Sequence, residues 1–276
     1  MKIDFASVLL ALIAVAGVIW LADALVLSRV RLRRDSSESR TPARASSEWA
    51  RARETPPRPI AVEYARTFLP VLVLILGVRT CLAEPFKIPS GSMMPTLLVG
   101  DYILVNKFSY GVRLPVLNTK LVEVGAPERG DLVVFRPPWA PGEHWIKRVV
   151  GLPGDEVTYR NKTLYINGDE MAETDVGPYT GPSESDRDMA DAEVKTEQLG
   201  SVAHPIMEFP RQQTGHEGTW IVPAGHYFMM GDSRDNSIDS RFKGFVPEEN
   251  LVGKAFLIWM NYDRGVDFRR LGTVLN

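Results

Sequence analysis

Apolar residues form an almost unbroken run near the N-terminus of this 276-residue chain. The run extends from Val8 to Leu27 and contains one charged residue, Asp23. Its length matches the roughly 20 residues that a helix needs to cross the hydrocarbon core of a membrane. A cleaved signal peptide is the competing interpretation, but its apolar core is shorter, at about 7–15 residues. We therefore predict an uncleaved membrane anchor over residues 1–28.

The segment that follows has no hydrophobic periodicity. Residues 29–59 are rich in Arg, Ser, Glu and Pro. Such a composition cannot bury a core, which favours a disordered basic loop. Because positive charge beside a membrane segment marks the cytoplasmic side, we expect this loop in the cytoplasm and the N-terminus outside.

A second apolar segment covers residues 60–83 but is interrupted by charge. Only the uncharged stretch Thr67–Val78 lies between Arg66 and Arg79, and it contains Pro70. That length favours an interfacial or buried helix, whereas the whole segment can span if its charges lie near the headgroups. A spanning helix returns residues 84–276 to the outer side of the membrane, and a buried helix leaves them in the cytoplasm.

Beyond residue 84 the pattern changes to short apolar alternations separated by turn residues. Alternation with period two is typical of half-buried strands, and no long helical periodicity appears. Pro153-Gly154 and Asn167-Gly168 mark turns, and Asn161-Lys162 is placed to close a hairpin. The predicted strands are Tyr102–Asn106, Asp131–Phe135, Trp145–Val150, Glu156–Tyr159, Thr163–Ile166, Thr219–Val222, Tyr227–Met230 and Leu251–Asn261. We therefore expect a mainly β fold, with an antiparallel β domain over 84–276 and a smaller inserted β or irregular subdomain at about 169–218, where the sequence becomes acidic.

Composition narrows the classes of function. The net charge of −2 provides no basic surplus for binding nucleic acid. The single cysteine, Cys81, excludes an internal disulfide and a zinc site built on several thiolates. The four histidines do not form the HExxH pattern. We therefore expect neither a nucleic-acid partner nor a metal.

A turn of small residues follows the second apolar segment. Ser90 and Ser92 flank Gly91 within the stretch Phe86–Leu97, with a proline on either side. Such a turn can fix a hydroxyl group at a defined position and leave it accessible to a ligand. An ordinary loop is the alternative interpretation.

Lys147 lies in the stretch His144–Asp155, where strand alternation places it between Trp145 and Val149 on one face. An ammonium group in apolar surroundings is costly, and desolvation lowers its pKa until it can accept a proton. A neutral lysine can act as a general base for a serine hydroxyl. The alternative is a solvated lysine on an exposed strand face.

The stretch Gly231–Arg241 contains three aspartates and two arginines. Its spacing does not fit an EF-hand, so a rigid turn in which arginines pair with carboxylates is favoured over a cation loop. A solvated charged loop is the other possibility. A Ser-His-Asp triad ranks lower, because no G-x-S-x-G sequence surrounds any serine.

Four blocks of this sequence, taken in order, resemble bacterial type I signal peptidase, a membrane-bound family of Ser-Lys proteases. The blocks are Ile88–Leu97, Arg129–Phe135, Ile146–Asp155 and Gly231–Arg241. Any one block can arise by chance, but four in family order are strongly specific. The resemblance covers the chain from Phe86 onward and also implies a two-helix anchor, with transmembrane helices at 1–28 and 60–83 before a β catalytic domain at 84–276.

By position in these blocks, the resemblance implies that Ser92 is the nucleophile and Lys147 the general base. Ser90 would add its hydroxyl to an oxyanion hole, alongside the backbone N–H of Ser92. Ser237 would hydrogen-bond to the lysine amine and orient it.

The resemblance also places a structural ion pair between Asp239 and Arg241. It implies shallow pockets for the small side chains at positions −1 and −3 of a signal-peptide cleavage site. These pockets would be lined by Phe86, Ile88, Pro89, Met93, Leu97 and Ile146.

The implied activity is that of a serine endopeptidase that removes signal peptides from secreted preproteins through an acyl-enzyme. It would act as a monomer in the cytoplasmic membrane, in contact with lipid and without a cofactor, with its catalytic domain on the periplasmic or extracytoplasmic side. A soluble self-cleaving repressor would share the Ser-Lys chemistry but not the anchor at Val8–Leu27. A catalytically silent, membrane-tethered β module that binds extracytoplasmic ligands is the second alternative.

Overall fold

A computed structural model divides the chain into two compact units. The units lie within Met1–Cys81 and Leu82–Asn276. The structure describes residues 5–27, 59–81, 83–113, 120–122, 124–181, 189, 191–212, 216–263 and 265–275. The predicted basic loop at 29–59 therefore lies almost entirely outside the described residues.

Two helices that pack against each other make up the described part of the first unit. Helix α1 spans Phe5–Ala22 and continues as a π-helical segment over Asp23–Leu27, and helix α2 spans Ile60–Cys81. Within the described residues, Val8–Leu25 is the one helical stretch long and apolar enough to cross a membrane. This finding agrees with the predicted first anchor by length and composition.

Helix α2 is continuous although Pro70 lies inside it. It carries Glu63, Arg66 and Arg79, whereas the sequence of α1 contains no charged residue. The structure of the described residues therefore supports one apolar candidate span and not clearly two. The second transmembrane helix stays a prediction.

Antiparallel β-strands build the second unit, with one short helix, α3 (Ser240–Lys243), between two of them. The strands are β1 (Glu84–Lys87), β2 (Asp101–Asn106), β3 (Val112–Arg113), β4 (Lys120–Val122), β5 (Leu132–Phe135), β6 (Trp145–Gly151), β7 (Glu156–Arg160), β8 (Thr163–Ile166), β9 (Asp169–Glu170), β10 (Glu173–Pro178), β11 (Glu193–Leu199), β12 (Val202–Glu208), β13 (Gly218–Ile221), β14 (His226–Met230), β15 (Val246–Pro247), β16 (Leu251–Asn261) and β17 (Thr273–Val274). The predicted mainly antiparallel β fold is confirmed.

In the largest sheet, a strand from near the C-terminal end of the sequence, β16, lies between strands from much earlier in the chain. Among the described residues, eight strands form this sheet in the order β1-β2-β16-β5-β6-β14-β15, with β17 also paired to β16. Strand β16 pairs with β2 through Lys254 opposite Asn106, and with β5 through Leu251 opposite Phe135. It therefore connects the β1–β2 pair, which flanks the serine turn, to the β5–β6 pair, which carries Lys147.

Two hairpin turns follow the predicted residue pairs. Asn161 and Lys162 have φ angles of 48° and 64° and connect β7 to β8. Asn167 and Gly168, at 54° and 88°, connect β8 to β9. A two-residue type I′ turn requires positive φ at both central residues, and Asn and Gly adopt it at low cost. Both turn predictions are confirmed.

The inserted region at about 169–218 is more regular than its acidic sequence suggests. Its described residues include a separate antiparallel sheet in the order β10-β11-β12. The apolar pattern does not reveal these strands, because β11 has the sequence Glu-Val-Lys-Thr-Glu-Gln-Leu. One of its glutamates, Glu197, is fully buried, and a rule based on apolar alternation does not recognise an inward-facing charge.

Candidate active site

The serine turn follows β1 and is anchored by backbone hydrogen bonds. The N–H of Ile88 donates to the carbonyl of Asp101 at 2.8 Å, and the N–H of Gly100 donates to the carbonyl of Ile88 at 2.9 Å. Met93 and Leu97 of the turn are fully buried in the same apolar cluster as Ile88. The apolar side chains therefore hold the turn on the core.

The two serines lie at the start of a short 3₁₀ turn, Gly91–Met93. Ser90 is exposed and Ser92 is half-buried. Their hydroxyl oxygens are 3.5 Å apart. The two hydroxyls therefore lie next to each other on the turn.

Lys147 reaches the serine turn from β6. Its side chain is only 4% exposed, so the alternative of a solvated lysine is wrong. Its Nζ lies 2.5 Å from Oγ of Ser92, within hydrogen-bonding distance. Burial lowers the pKa of Lys147 to about 8, although the charges of Asp239 and Asp232 raise it. A substantial fraction of the lysine is therefore neutral near pH 8 and able to accept a proton.

Gly231 and Ser237 pack beneath this pair. A Cβ at position 231 would collide with Oγ of Ser237 and lie 2.5 Å from the backbone oxygen of Ser92. Glycine is therefore required there by close approach of the chain. Ser237 is 7% exposed and lines the same cavity as Ser92, but within the described part of the chain its hydroxyl has no hydrogen-bond partner. The predicted contact from Ser237 to Lys147 is thus not formed in this arrangement.

Asp239 and Arg241 form a two-pronged ion pair at the start of α3. Oδ1 accepts from Nε at 2.9 Å and Oδ2 accepts from Nη2 at 2.8 Å, with both side chains buried. Oδ2 of Asp239 also accepts from the N–H of Gly231 at 3.0 Å. Burial raises the pKa of Asp239, but the Arg241 guanidinium outweighs it and the pKa stays below its usual range. The ion pair therefore remains charged, and Asp239 connects the beginning of the loop, at Gly231, to its end, at Arg241.

Other charges of the Gly231–Arg241 loop pair with distant parts of the chain. Asp232 accepts two hydrogen bonds from Arg148 of β6, at 2.9 and 2.8 Å. Asp235 pairs with Lys162 of the β7–β8 turn at 2.6 Å. The predicted salt-bridged turn is therefore present, and the solvated loop is wrong. The partners supplied by other elements were not predicted.

Among the residues that hold this loop, sequence reasoning missed the charged partners Arg148, Lys162 and Glu197, the last of which pairs with Arg234. A usable signal exists for Arg148, because it is a second cation within a predicted buried strand and needs an anion there. Lys162 and Glu197 lie in polar segments and carry no comparable signal.

A cavity of about 720 Å³ opens beside Ser92 and Lys147. Its wall contains five of the six predicted pocket residues, namely Phe86, Ile88, Pro89, Met93 and Ile146. The sixth, Leu97, does not line the cavity, because it is fully buried in the apolar cluster. Exposed side chains of Ile238 and Phe242 contribute to the lining as well. The cavity is therefore largely apolar around a polar pair, as ligand-binding pockets commonly are.

No group of three or more His, Cys, Asp or Glu side chains is arranged to hold a metal ion among the described residues. The cavity lining includes the hydroxyls of Ser90, Ser92 and Ser237 and the amine of Lys147. A lysine of lowered pKa in contact with a serine hydroxyl suits nucleophilic acyl transfer.

Comparison with known proteins finds matches to one family. A family model described as "Signal peptidase, peptidase S26" matches residues 61–260. The crystal structure of a signal peptidase I from Enterococcus faecalis is 28% identical and covers 48% of this chain and 98% of its own. Its TM-score of 0.31 is too low to support an argument about the fold.

Two relatives match nearly the whole chain. A signal peptidase I of Pseudomonas fluorescens is 47% identical over 274 residues, covering 95% of this chain and 94% of that protein. A signal peptidase I of Pseudomonas aeruginosa is 46% identical over 282 residues, with the same two coverages. The chain therefore belongs to the peptidase S26 family and is a bacterial type I signal peptidase.

Proposed function

We propose that this protein cleaves signal peptides from exported preproteins by a Ser-Lys acyl-enzyme mechanism, after small residues at positions −3 and −1. The observation that carries the proposal is the 2.5 Å distance between Nζ of Lys147 and Oγ of Ser92 at the wall of an apolar cavity. Burial lowers the pKa of Lys147 to about 8, which supports its role as a base.

The reaction begins when neutral Lys147 takes the proton of the Ser92 hydroxyl as Oγ attacks the scissile carbonyl. The developing oxyanion receives hydrogen bonds from the Ser90 hydroxyl and the backbone N–H of Ser92. Donors of this kind commonly contribute about 2.7–4 kcal/mol to transition-state stabilisation. Lys147 then protonates the leaving amine of the mature protein, and the signal peptide remains as an ester on Ser92. Neutral Lys147 next activates a water that hydrolyses this ester, which frees the signal peptide and restores the Ser92 hydroxyl.

Ser237 orients the amine of Lys147 in the proposed reaction. In the free protein the Ser237 hydroxyl is buried and has no hydrogen-bond partner among the described residues. It is therefore available to form a hydrogen bond with the Lys147 amine. Catalytic hydrogen bonds are often long or unformed before substrate binds. The Asp239–Arg241 pair supports Ser237 by fixing the ends of its loop.

Substrate selection rests on the apolar wall of the cavity. Side chains of Phe86, Ile88 and Ile146 line this wall and would form the pockets for small residues at −1 and −3. A hydrophobic pocket of this type rejects extra carbons by about 1–3 kcal/mol per methylene.

The proposed membrane arrangement has two transmembrane helices, at residues 1–28 and 60–83, joined by a basic cytoplasmic loop. The catalytic domain at 84–276 then lies on the outer side, where preproteins emerge. The apolar composition of Val8–Leu25 supports the first helix. We also propose that the protein acts as a monomer in contact with lipid.

Cleavage of a preprotein by the purified full-length chain tests the dyad. Ser92→Ala and Lys147→Met should each abolish cleavage, because one removes the nucleophile and the other the base. Matched controls are Ser201→Ala and Lys243→Met, which change exposed residues of the same types. Cleavage by Ser92→Ala or Lys147→Met at the parental rate would refute the dyad.

Cysteine labelling in intact cells tests the membrane arrangement. The native Cys81 is first replaced by alanine, and a single cysteine is introduced by Ser201→Cys at an exposed position of the catalytic domain. A membrane-impermeant thiol reagent added outside the inner membrane should label it. Labelling only after the membrane is permeabilised would overturn the proposed orientation.

A further inference from the structure

Glu197 is a fully buried carboxylate that the proposed reaction does not use. It lies in β11, the middle strand of the inserted sheet, and is 0% exposed. Its two oxygens accept hydrogen bonds from Arg234, at 2.6 Å from Nη1 and 2.5 Å from Nη2. Burial raises the pKa of Glu197, but Arg234 outweighs burial and the pKa is lowered to about 2. Glu197 is therefore an anion throughout the neutral range.

Arg234 connects Glu197 to the ion pair beneath the active site. The backbone carbonyl of Arg234 accepts a hydrogen bond of 2.6 Å from Nη2 of Arg241. Arg241 in turn holds Asp239, whose Oδ2 accepts from the N–H of Gly231 at 3.0 Å. Successive contacts therefore lead from Glu197 to the glycine against which the nucleophile packs.

A second part of the inserted sheet contacts the same loop one strand away. His204 of β12 lies with Nε2 3.1 Å from Oε2 of Glu197 and with Nδ1 3.6 Å from Oδ1 of Asp232. Because an ionised carboxylate only accepts hydrogen bonds, Nε2 is the donor in the contact with Glu197. Met207 of β12 donates its N–H to the carbonyl of Asp232 at 2.8 Å and accepts from the N–H of Arg234 at 2.9 Å. The inserted sheet therefore holds the loop through both backbone and side chains.

The geometry points to Glu197 as a positioning residue for cleavage at Ser92, acting by fixing Arg234 and thereby the Gly231–Arg241 loop. The inserted sheet, β10–β12, then supports the active site through this loop, and we call this support the buttress. This inference rests on the proposed Ser92–Lys147 reaction, which Ser92→Ala tests separately. Should the dyad hold and only the buttress fail, Ser92→Ala is inactive while Glu197 variants cleave normally.

Steady-state cleavage of a preprotein by the full-length protein in detergent micelles tests the buttress. In Glu197→Gln the anion is lost and Arg234 has no matching charge, so the loop shifts. We expect kcat to fall by at least about tenfold, since small displacements of reacting groups are costly. KM should change less than kcat, because the loop forms only part of the cavity wall and the part formed by β1 and β6 is unchanged. Glu193→Gln removes the same charge from an exposed position of the same strand and should keep the parental kcat.

Arg234→Lys provides the second variant, assayed like the first below its own measured unfolding temperature. Lysine keeps the positive charge but loses the two-pronged geometry, so kcat should fall in the same way. Folded variants that keep kcat within about twofold of the parent overturn the proposal. If neither variant shows a folded state at any temperature at which the parent cleaves, Glu197 serves folding alone and the proposal is overturned as well.

Discussion

The two walls of the active site are held by different forces. Apolar packing holds the serine turn, with Ile88, Met93 and Leu97 in one buried cluster. Buried ion pairs hold the opposite wall, the Gly231–Arg241 loop. Apolar packing is sensitive to the volume of a side chain, whereas a buried ion pair is sensitive to the loss of either partner.

The difference shows how a loop rich in carboxylates can lie beside Lys147, which must lose its proton to act as the proposed base. An unpaired Asp239 would favour the charged form of Lys147 and keep it protonated. Arg241 lowers the pKa of Lys147 while Asp239 raises it, so the pair partly cancels at the lysine. The ion pairs therefore make the loop rigid, while their opposite charges change the pKa of Lys147 less than the carboxylates alone would.

The largest expected effect comes from breaking an ion pair of the charged wall. Arg148→Met leaves Asp232 buried without its guanidinium, and the free energy of unfolding should fall by about 3–5 kcal/mol. Chemical denaturation followed by tryptophan fluorescence measures the change. Arg269→Met removes an exposed arginine from its pair with Asp267 and should leave the midpoint unchanged. Equal midpoints for Arg148→Met and the parent would contradict the distinction between the walls.

A volume change should break the apolar wall. Leu97→Ala removes a fully buried side chain and should cost about 2–5 kcal/mol of unfolding free energy. Added salt should not alter this loss, since no charge is involved. The control is Leu271→Ala at a position that is 59% exposed. A loss at Leu97 no greater than at Leu271 would show that the cluster does not hold the turn.

A methyl group at the contact between the walls should affect catalysis more than folding. Gly231→Ala pushes Ser237 and the backbone of Ser92 apart, and we expect kcat/KM to fall about a hundredfold, or roughly 2.7 kcal/mol. Gly142→Ala is the matched control, because a Cβ there meets no atom within 4 Å. Near-parental activity of Gly231→Ala would mean that the walls tolerate separation.

The smallest expected effect is a displacement of the pH profile. Cleavage should rise with pH through the pKa of Lys147, about 8, because only the neutral amine accepts the proton. Asp239→Asn removes a negative charge that raises this pKa, so the acid limb should move to lower pH by roughly one unit. Asp155→Asn, whose carboxylate pairs with Arg129, should leave the limb in place. If the acid limb of Asp239→Asn moved to higher pH instead, it would contradict the proposed effect of the Asp239 charge on the pKa of Lys147.

The strands can be predicted from the sequence where a local pattern of apolar and polar residues determines them. The predicted strands Thr163–Ile166 and Leu251–Asn261 have the observed bounds. Strands β10 to β12 were not predicted, because their inward-facing residues include the charged Glu197 and the polar His204. Such residues become tolerable only when partners arrive from elsewhere in the fold.

The candidate site divides in the same way. Ser92 and Lys147 were named from motif blocks, and they lie together in the structure. The partners of the charged loop were not named, because Asp232 and Arg148 are 84 positions apart and Arg234 and Glu197 are 37 apart. No local pattern encodes a distance of that kind, which only the folded chain sets.

The late position of β16 in the sequence has a consequence for biogenesis. While the chain is being synthesised, β1, β2, β5 and β6 emerge before Leu251–Asn261. Because β16 is the strand that connects the β1–β2 pair to the β5–β6 pair, the sheet cannot hold Ser92 and Lys147 together until it arrives. Long-range pairing of this kind is also slow to form. We therefore expect the contact between Ser92 and Lys147 to form only after nearly the whole chain has been synthesised.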